Sequence, residues 1–181
     1  MNEAGTLNRG NLFPGLVAGL LNPEWEPVCP AIGHGLNVQL YDGDSAVGPE
    51  RLREANLAVE DAHRIAIENL GRFADDSPDL SIQVLGNPGD AVHFLLYSDH
   101  PHASACLLLP DLYEQAAVEL KETELLACVP QRESLVVFPK RDRAYRESII
   151  RKLREIEADA RHPLTFELFS LTATGLTPFS E

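Results

Sequence analysis

The chain has 181 residues, 44% hydrophobic and 24% charged, with a formal net charge of −13 at pH 7. That composition suits one globular domain that needs no disulfide or metal to close its core, and it is far from a disordered one. The negative charge repels phosphate backbones and anionic membrane surfaces, which leaves a protein partner or self-association as the expected contact and excludes nucleic acid and membrane.

The chain is read as a single domain, 1–181, with a short N-terminal segment (1–35) ahead of an α+β core (36–181). In the first segment Phe13, Leu16, Val17, Leu20 and Leu21 recur at helical spacing, so a short amphipathic helix is expected from about Pro14. Residues 22–35 hold three prolines, Trp25 and a Gly33-His34-Gly35 turn, and read as irregular connection. Leu36 to Tyr41 alternates apolar and polar residues, as a strand does, and Asp42-Gly43-Asp44 turns the chain. Leu52, Ala55, Val59, Ala62, Ala66 and Leu70 form one apolar stripe on helix over 50–72, with Asn56 a candidate break.

Two ββα units follow. The first pairs Leu80–Leu85 with Ala91–Tyr97 across Gly86-Asn87-Pro88-Gly89, and continues into a helix over Pro110–Leu120. The second pairs Glu124–Val129 with Ser134–Pro139, and its helix starts after Asp142 as N-cap and runs to Ala160. On that helix Tyr145, Ile149, Leu153, Ile156 and Ala160 share the apolar side. A last strand, Thr165–Leu171, can hairpin through Gly175. Short turns between consecutive strands imply antiparallel pairing, and two helices returning to one sheet imply a two-layer sandwich. From Ala91 onward the order along the chain, β-α-β-β-α-β, is that of the ferredoxin-like motif.

Four blocks, AHRIAIENL (62–70), HFLLYSDHPHAS (93–104), ACVPQRESLVVFP (127–139) and HPLTFELF (162–169), resemble in order and spacing the bacterial domain-of-unknown-function family typified by YtpQ. The family's Asp-Gly-Tyr-x-Ala-Ser is matched here by Asp99, Ala103 and Ser104, with His100 and Pro101 replacing Gly and Tyr. Its Val-Pro-x-x-Asp-x-Leu is matched by Val129, Pro130 and Leu135, with Glu133 for the Asp. Most of the family's longer N-terminal region has no counterpart. The resemblance implies a shared fold and carries over no catalytic residue.

The polar residues with chemical reach cluster after the first hairpin. Asp99, His100, His102 and Ser104 sit within six positions, and Arg132 and Glu133 occupy the second hairpin turn. Asp99, His102 and Glu133 are the candidate catalytic groups of a small hydrolase-like or metal-dependent enzyme, with His100 and His102 as candidate ligands and His93 as the third. The alternative is an Asp-capped turn and a surface ion pair, with no metal and no cofactor. Cys29, Cys106 and Cys128 show no CxxC spacing and read as free thiols.

Residues 140–154 hold seven of the fifteen basic residues against two acidic ones, a local +5 that leaves −18 on the rest. Arg143, Arg146, Arg151 and Arg154, with Arg132 nearby in sequence, form a candidate docking face for an acidic partner or a second copy. No phosphate loop, dinucleotide fingerprint or HExxH is present. The preferred reading is a cytoplasmic, non-catalytic protein-interaction or regulatory module. The enzyme is one alternative, and an acidic secretion-chaperone-like protein is another.

Overall fold

The computed structural model describes residues 6–19, 31–90 and 92–180. Its centre is the hairpin of β7 (Leu125–Gln131) and β8 (Ser134–Pro139), in which every residue except Gln131 is buried. Apart from Gln131 and Ser134 beside the turn, both strands are continuous apolar runs, as strands covered on both faces must be. Around them a six-stranded, wholly antiparallel sheet has the order β10-β9-β7-β8-β6-β5, with β5 (Ser81–Leu85), β6 (Phe94–Ser98), β9 (Pro163–Thr172) and β10 (Gly175–Pro178). The expected α+β sandwich on a mainly antiparallel sheet is therefore what forms.

The order within the sheet is not the ferredoxin-like one. There the last strand of the motif would lie beside the first, on the outer flank of β6. Here β5 is hairpinned to β6 and already holds that flank, so β9 adds to β7. This has a second consequence. The crossover from β6 to β7 through α3 (Leu112–Leu120) and that from β8 to β9 through α4 (Arg143–Ile156) step the same way across the sheet, from antiparallel strands. Right-handed crossovers then require the two helices to lie on opposite faces. Leu95, Tyr97, Ala127, Val137 and Phe169 accordingly pack with Leu112, Ala116 and Leu120 of α3, while Phe94, Leu126, Cys128, Val136 and Phe138 pack with Tyr145, Ile149 and Leu153 of α4. The expected two layers become three.

The α3 face also carries α1 (Pro49–Glu54), α2 (Val59–Asp76) and a small second sheet of β1 (Leu12–Ala18), β2 (Ala31–Gly33), β3 (Leu36–Asp42) and β4 (Ser45–Ala46). The helix expected from Pro14 is thus strand β1, paired with β3 from Leu12↔Asp42 to Ala18↔Leu36. Pro14 and Gly15 are poor helix formers, and an edge strand tolerates a proline that cannot donate. The Tyr41 ring lies over Gly15, where a Cβ would come within 2.8 Å of it. Asn69 of α2 fixes the start of β1, donating to the carbonyls of Arg9 and Leu12 at 2.8 Å each. Leu12 and Leu16 are core residues, so the core begins well before residue 36. Of the irregular connection expected over 22–35, residues 31–33 instead form β2, which pairs with β3, while 22–30 lie outside the described residues, as does Cys29.

Other expectations hold in detail. The α1–α2 break falls at Asn56, with φ of 49°, a conformation asparagine tolerates. Asp142 caps α4 by accepting from the Tyr145 amide at 2.9 Å. Pro130, an unusual residue for a central strand, sits where the β7 register shifts against β8, between Cys128 and Gln131. Cys106 and Cys128 are free and buried, and burial pushes both thiols up to about 12.

The stripe on α4 is shorter than expected. Tyr145, Ile149 and Leu153 are buried, but Ile156 ends the helix at 62% exposure, and Ala160 lies beyond it. Leu153→Ala should lower the free energy of unfolding in urea by about 2–5 kcal/mol, and Ile156→Ala by less than about 0.5 kcal/mol.

Candidate functional site

The loop after β6 and the β7–β8 turn meet. The Ser104 amide donates to the Arg132 carbonyl at 3.2 Å, and the Arg132 amide to the His162 carbonyl at 3.0 Å. The imidazoles of the loop, however, pack against aromatic rings. The His102 imidazole stacks on Phe13, with centroids 4.4 Å apart and planes 14° apart, and meets Phe73 edge-on at 5.3 Å. His100 lies against the other part of Phe73 at 4.4 Å and 5.0 Å from His102. Phe13 comes from β1 and Phe73 from α2, so this corner joins the small sheet, the long helix and the main sheet.

The local backbone explains the histidine pair. Asp99 adopts φ of 69° and turns the chain out of β6, and its carboxylate accepts from the Ser98 hydroxyl at 3.0 Å. His100 Nδ1 accepts the His102 amide at 3.1 Å, an i to i+2 closure that leaves this nitrogen unprotonated. Burial pushes the His102 imidazole down to about 4, and the adjacent His100 and Arg132 act in the same direction. His100 is lowered too, mainly by burial, against the pull of Asp79. Both rings behave as neutral aromatic packing groups.

The candidate catalytic residues do not converge. Asp99 is exposed on the loop. Glu133 pairs with His162 at 3.1 Å, beside a shallow depression shared with Glu157 and Asp159. The Glu157 carboxyl is raised by burial and then by the Glu133 charge. Ser104 Oγ is buried with no hydrogen-bond partner among the described residues, so no serine–histidine relay is built. Nor does a third ligand reach the histidines: among the described residues no group of three His, Cys, Asp or Glu could hold a metal. His93 lies at the far end of β6, about 20 Å from Asp99 at a rise of about 3.3 Å per residue. It is buried there beside Tyr145, whose hydroxyl donates to its carbonyl at 2.7 Å.

The five arginines of the expected docking face also divide. Arg132 stands over the Tyr41 ring at 5.8 Å, in the histidine corner. Arg143, Arg146, Arg151 and Arg154 belong to α4. Arg143 pairs with Glu147 at 2.7 Å, Arg146 covers Phe179 at 5.4 Å, and Arg154 covers Phe166 at 5.2 Å. Arg151 lines a shallow trough with Ile150 and Leu168. Much of this positive face is thus laid over apolar rings of the sheet's second face.

A surface missed in the sequence lies elsewhere. Between β5 and α3, closed at one end by Ala74 and Asp75, is a concavity of about 780 Å³. Ile82 and Val84 project into it from β5 at 44% and 39% exposure, and Val118 from α3 at 74%. Leu95 and Tyr97 form its floor, and Asp75, Glu114 and Glu119 rim it with no basic residue among the lining. The signal was present in the sequence: the run Ser81–Leu85 contains no charge, which is rare for an edge.

No helix among the described residues is long and apolar enough to cross a membrane. Comparison of the chain with protein-family models, curated proteins and solved structures finds no match in any of the three.

Two outcomes test this corner. His102 is neutral in the fold down to about pH 4, whereas unfolded histidine protonates near 6.5, so the unfolded state takes up the extra proton as the pH falls between those values. The stability His102 contributes is complete above about pH 6.5 and lost as the pH falls toward 4, by at most about 3 kcal/mol. His102→Phe, which keeps the stacked ring, should flatten the fall in urea midpoint over that range. In a zinc titration by calorimetry, the natural chain and His100→Ala/His102→Ala should behave alike, with no site of one zinc per chain.

Proposed function

We propose that this protein is a cytoplasmic, non-catalytic protein-interaction or regulatory module. The observation that carries this reading is the apolar concavity of Ile82, Val84 and Val118, large side chains left in contact with water at a sheet edge. Scattered single apolar residues are ordinary on a surface, but a contiguous set in a concave, acid-rimmed place marks contact with another macromolecule. The polar corner supports it from the other side. Its imidazoles are spent on packing and its carboxylates on a turn and a contact with His162.

The resemblance to the YtpQ-like family is consistent with this reading. The four shared blocks lie in α2, in β6 and its loop, in β7–β8 and in β9, all parts of the scaffold. The concavity is lined partly by β5 and α3, which lie outside those blocks. The charge of −13 favours a basic partner over nucleic acid.

A photo-crosslinking amino acid placed at Val118 tests the reading in cells that make the protein. A discrete protein adduct is expected from position 118, and none from the exposed control position Arg64 on α2 or from Asp99. Adducts from no position on the β5–α3 or α4 faces, together with a small-molecule turnover abolished by His102→Ala, would replace the module by an enzyme.

A further inference from the structure

The two edges of the main sheet are built differently. β10 is four residues long, ends in Pro178, and lies against β2, with the Pro178 ring over Gly33. A strand that short, covered and closed by proline accepts no further strand. β5 has none of these protections. Its five residues, Ser-Ile-Gln-Val-Leu, carry no charge and no proline, and pair with β6 from Ser81↔Ser98 to Leu85↔Phe94 without a bulge. Its outer side has no partner strand among the described residues.

We infer that β5 is a docking edge that adds one extended, basic segment of a partner protein as a seventh strand. This rests on the module reading above and names the chemistry of its partner. Backbone amides and carbonyls along β5 supply the ladder, and alternation supplies selectivity. Every second side chain of the incoming strand projects to the α3 side of the sheet, where it extends the apolar surface of Ile82, Val84 and Val118. Apolar residues are therefore required at the central positions of that face, and the positions at its two ends reach the rim. The rim sets the charge. Asp75, Glu114 and Glu119 face the groove with no cation among its lining residues, so lysine or arginine in the segment is attracted and an acidic segment repelled.

The same rim argues against a second copy as the occupant. Antiparallel self-pairing of β5 about a two-fold keeps both α3 helices on one side of the joined sheet. Glu114 and Glu119 of the two copies would then confront each other across one groove, and Ser81-Ile82-Gln83-Val84-Leu85 brings no basic residue to offset them.

The test uses the full chain and a fluorescein-labelled lysine–valine nonapeptide, Lys-Ser-Val-Ser-Val-Ser-Val-Ser-Lys, whose valines and terminal lysines share one face of the strand, read by anisotropy at low and physiological salt. Three comparison peptides accompany it: one with both lysines replaced by glutamate, one lysine–valine peptide N-methylated at alternate amides, and one amphipathic lysine–leucine helix former. The lysine–valine peptide should bind at least about tenfold more tightly than the glutamate and N-methylated peptides. Ile82→Lys should weaken it at least about tenfold, and Glu114→Gln/Glu119→Gln should reduce its salt dependence. Both variants change exposed positions, and an unchanged melting temperature will show that they fold. Equal binding of the lysine and glutamate peptides, indifference to N-methylation, or preference for the helix former overturns the strand. A natural chain that is dimeric by light scattering and monomeric as Ile82→Lys overturns the partner and installs a second copy. If these peptides fail while position 118 still gives a protein adduct in cells, the module stands and the basic strand falls.

Discussion

The structure depends on burying the β7–β8 hairpin on both faces. Once Leu125–Val129 and Leu135–Phe138 are continuous apolar runs, both sides must be covered, and the two crossovers supply one layer each. The flank of β6 then decides the rest. Because β5 takes it, β9 is displaced to β7, both crossovers run the same way, and α3 and α4 separate to opposite faces. A single local hairpin thereby converts a ferredoxin-like order along the chain into a different sheet.

That separation partitions the chemistry. The face of α4 meets the sheet with Tyr145, Ile149 and Leu153 and sends its arginines outward over Phe166 and Phe179. The other face receives α1, α2, α3 and the small sheet, and with them the acidic residues that rim the β5 groove. The histidine corner lies where these layers join. There the cost of leaving Phe13 and Phe73 exposed outweighs the preference of an imidazole for water, so His100 and His102 are held as neutral rings. A loop dense in polar residues is for that reason a structural joint. His34 serves a similar end: its Nε2 contacts the Leu168 carbonyl at 2.9 Å and its ring meets Phe169, which ties the small sheet to β9.

The contrast between the two edges follows from the same layout. β10 is sealed by the small sheet, whereas β5 ends the array with uncharged residues facing solvent. Edges without charge or proline invite pairing, and a high net charge on the whole chain limits indiscriminate association. An acidic rim beside an open edge lets charge select what the hairpin leaves available.

The sequence by itself determined the elements set by local chemistry. Periodicity placed α2, Asp142 placed the start of α4, the Gly86–Gly89 and Arg132-Glu133 turns placed both hairpins, and Asn56 placed the helix break. It also determined the charge asymmetry. Tertiary structure decided what depended on distant partners. Phe13, Leu16 and Val17 recur at helical spacing, and pairing with β3 made them a strand against that spacing. His100 and His102 look the same in sequence whether they face a metal or a phenyl ring, and Phe13 and Phe73 reach them only through the fold. Strand order was undetermined for the same reason: turns specify which strands are consecutive, while the flank a returning strand finds vacant is a property of the assembled sheet.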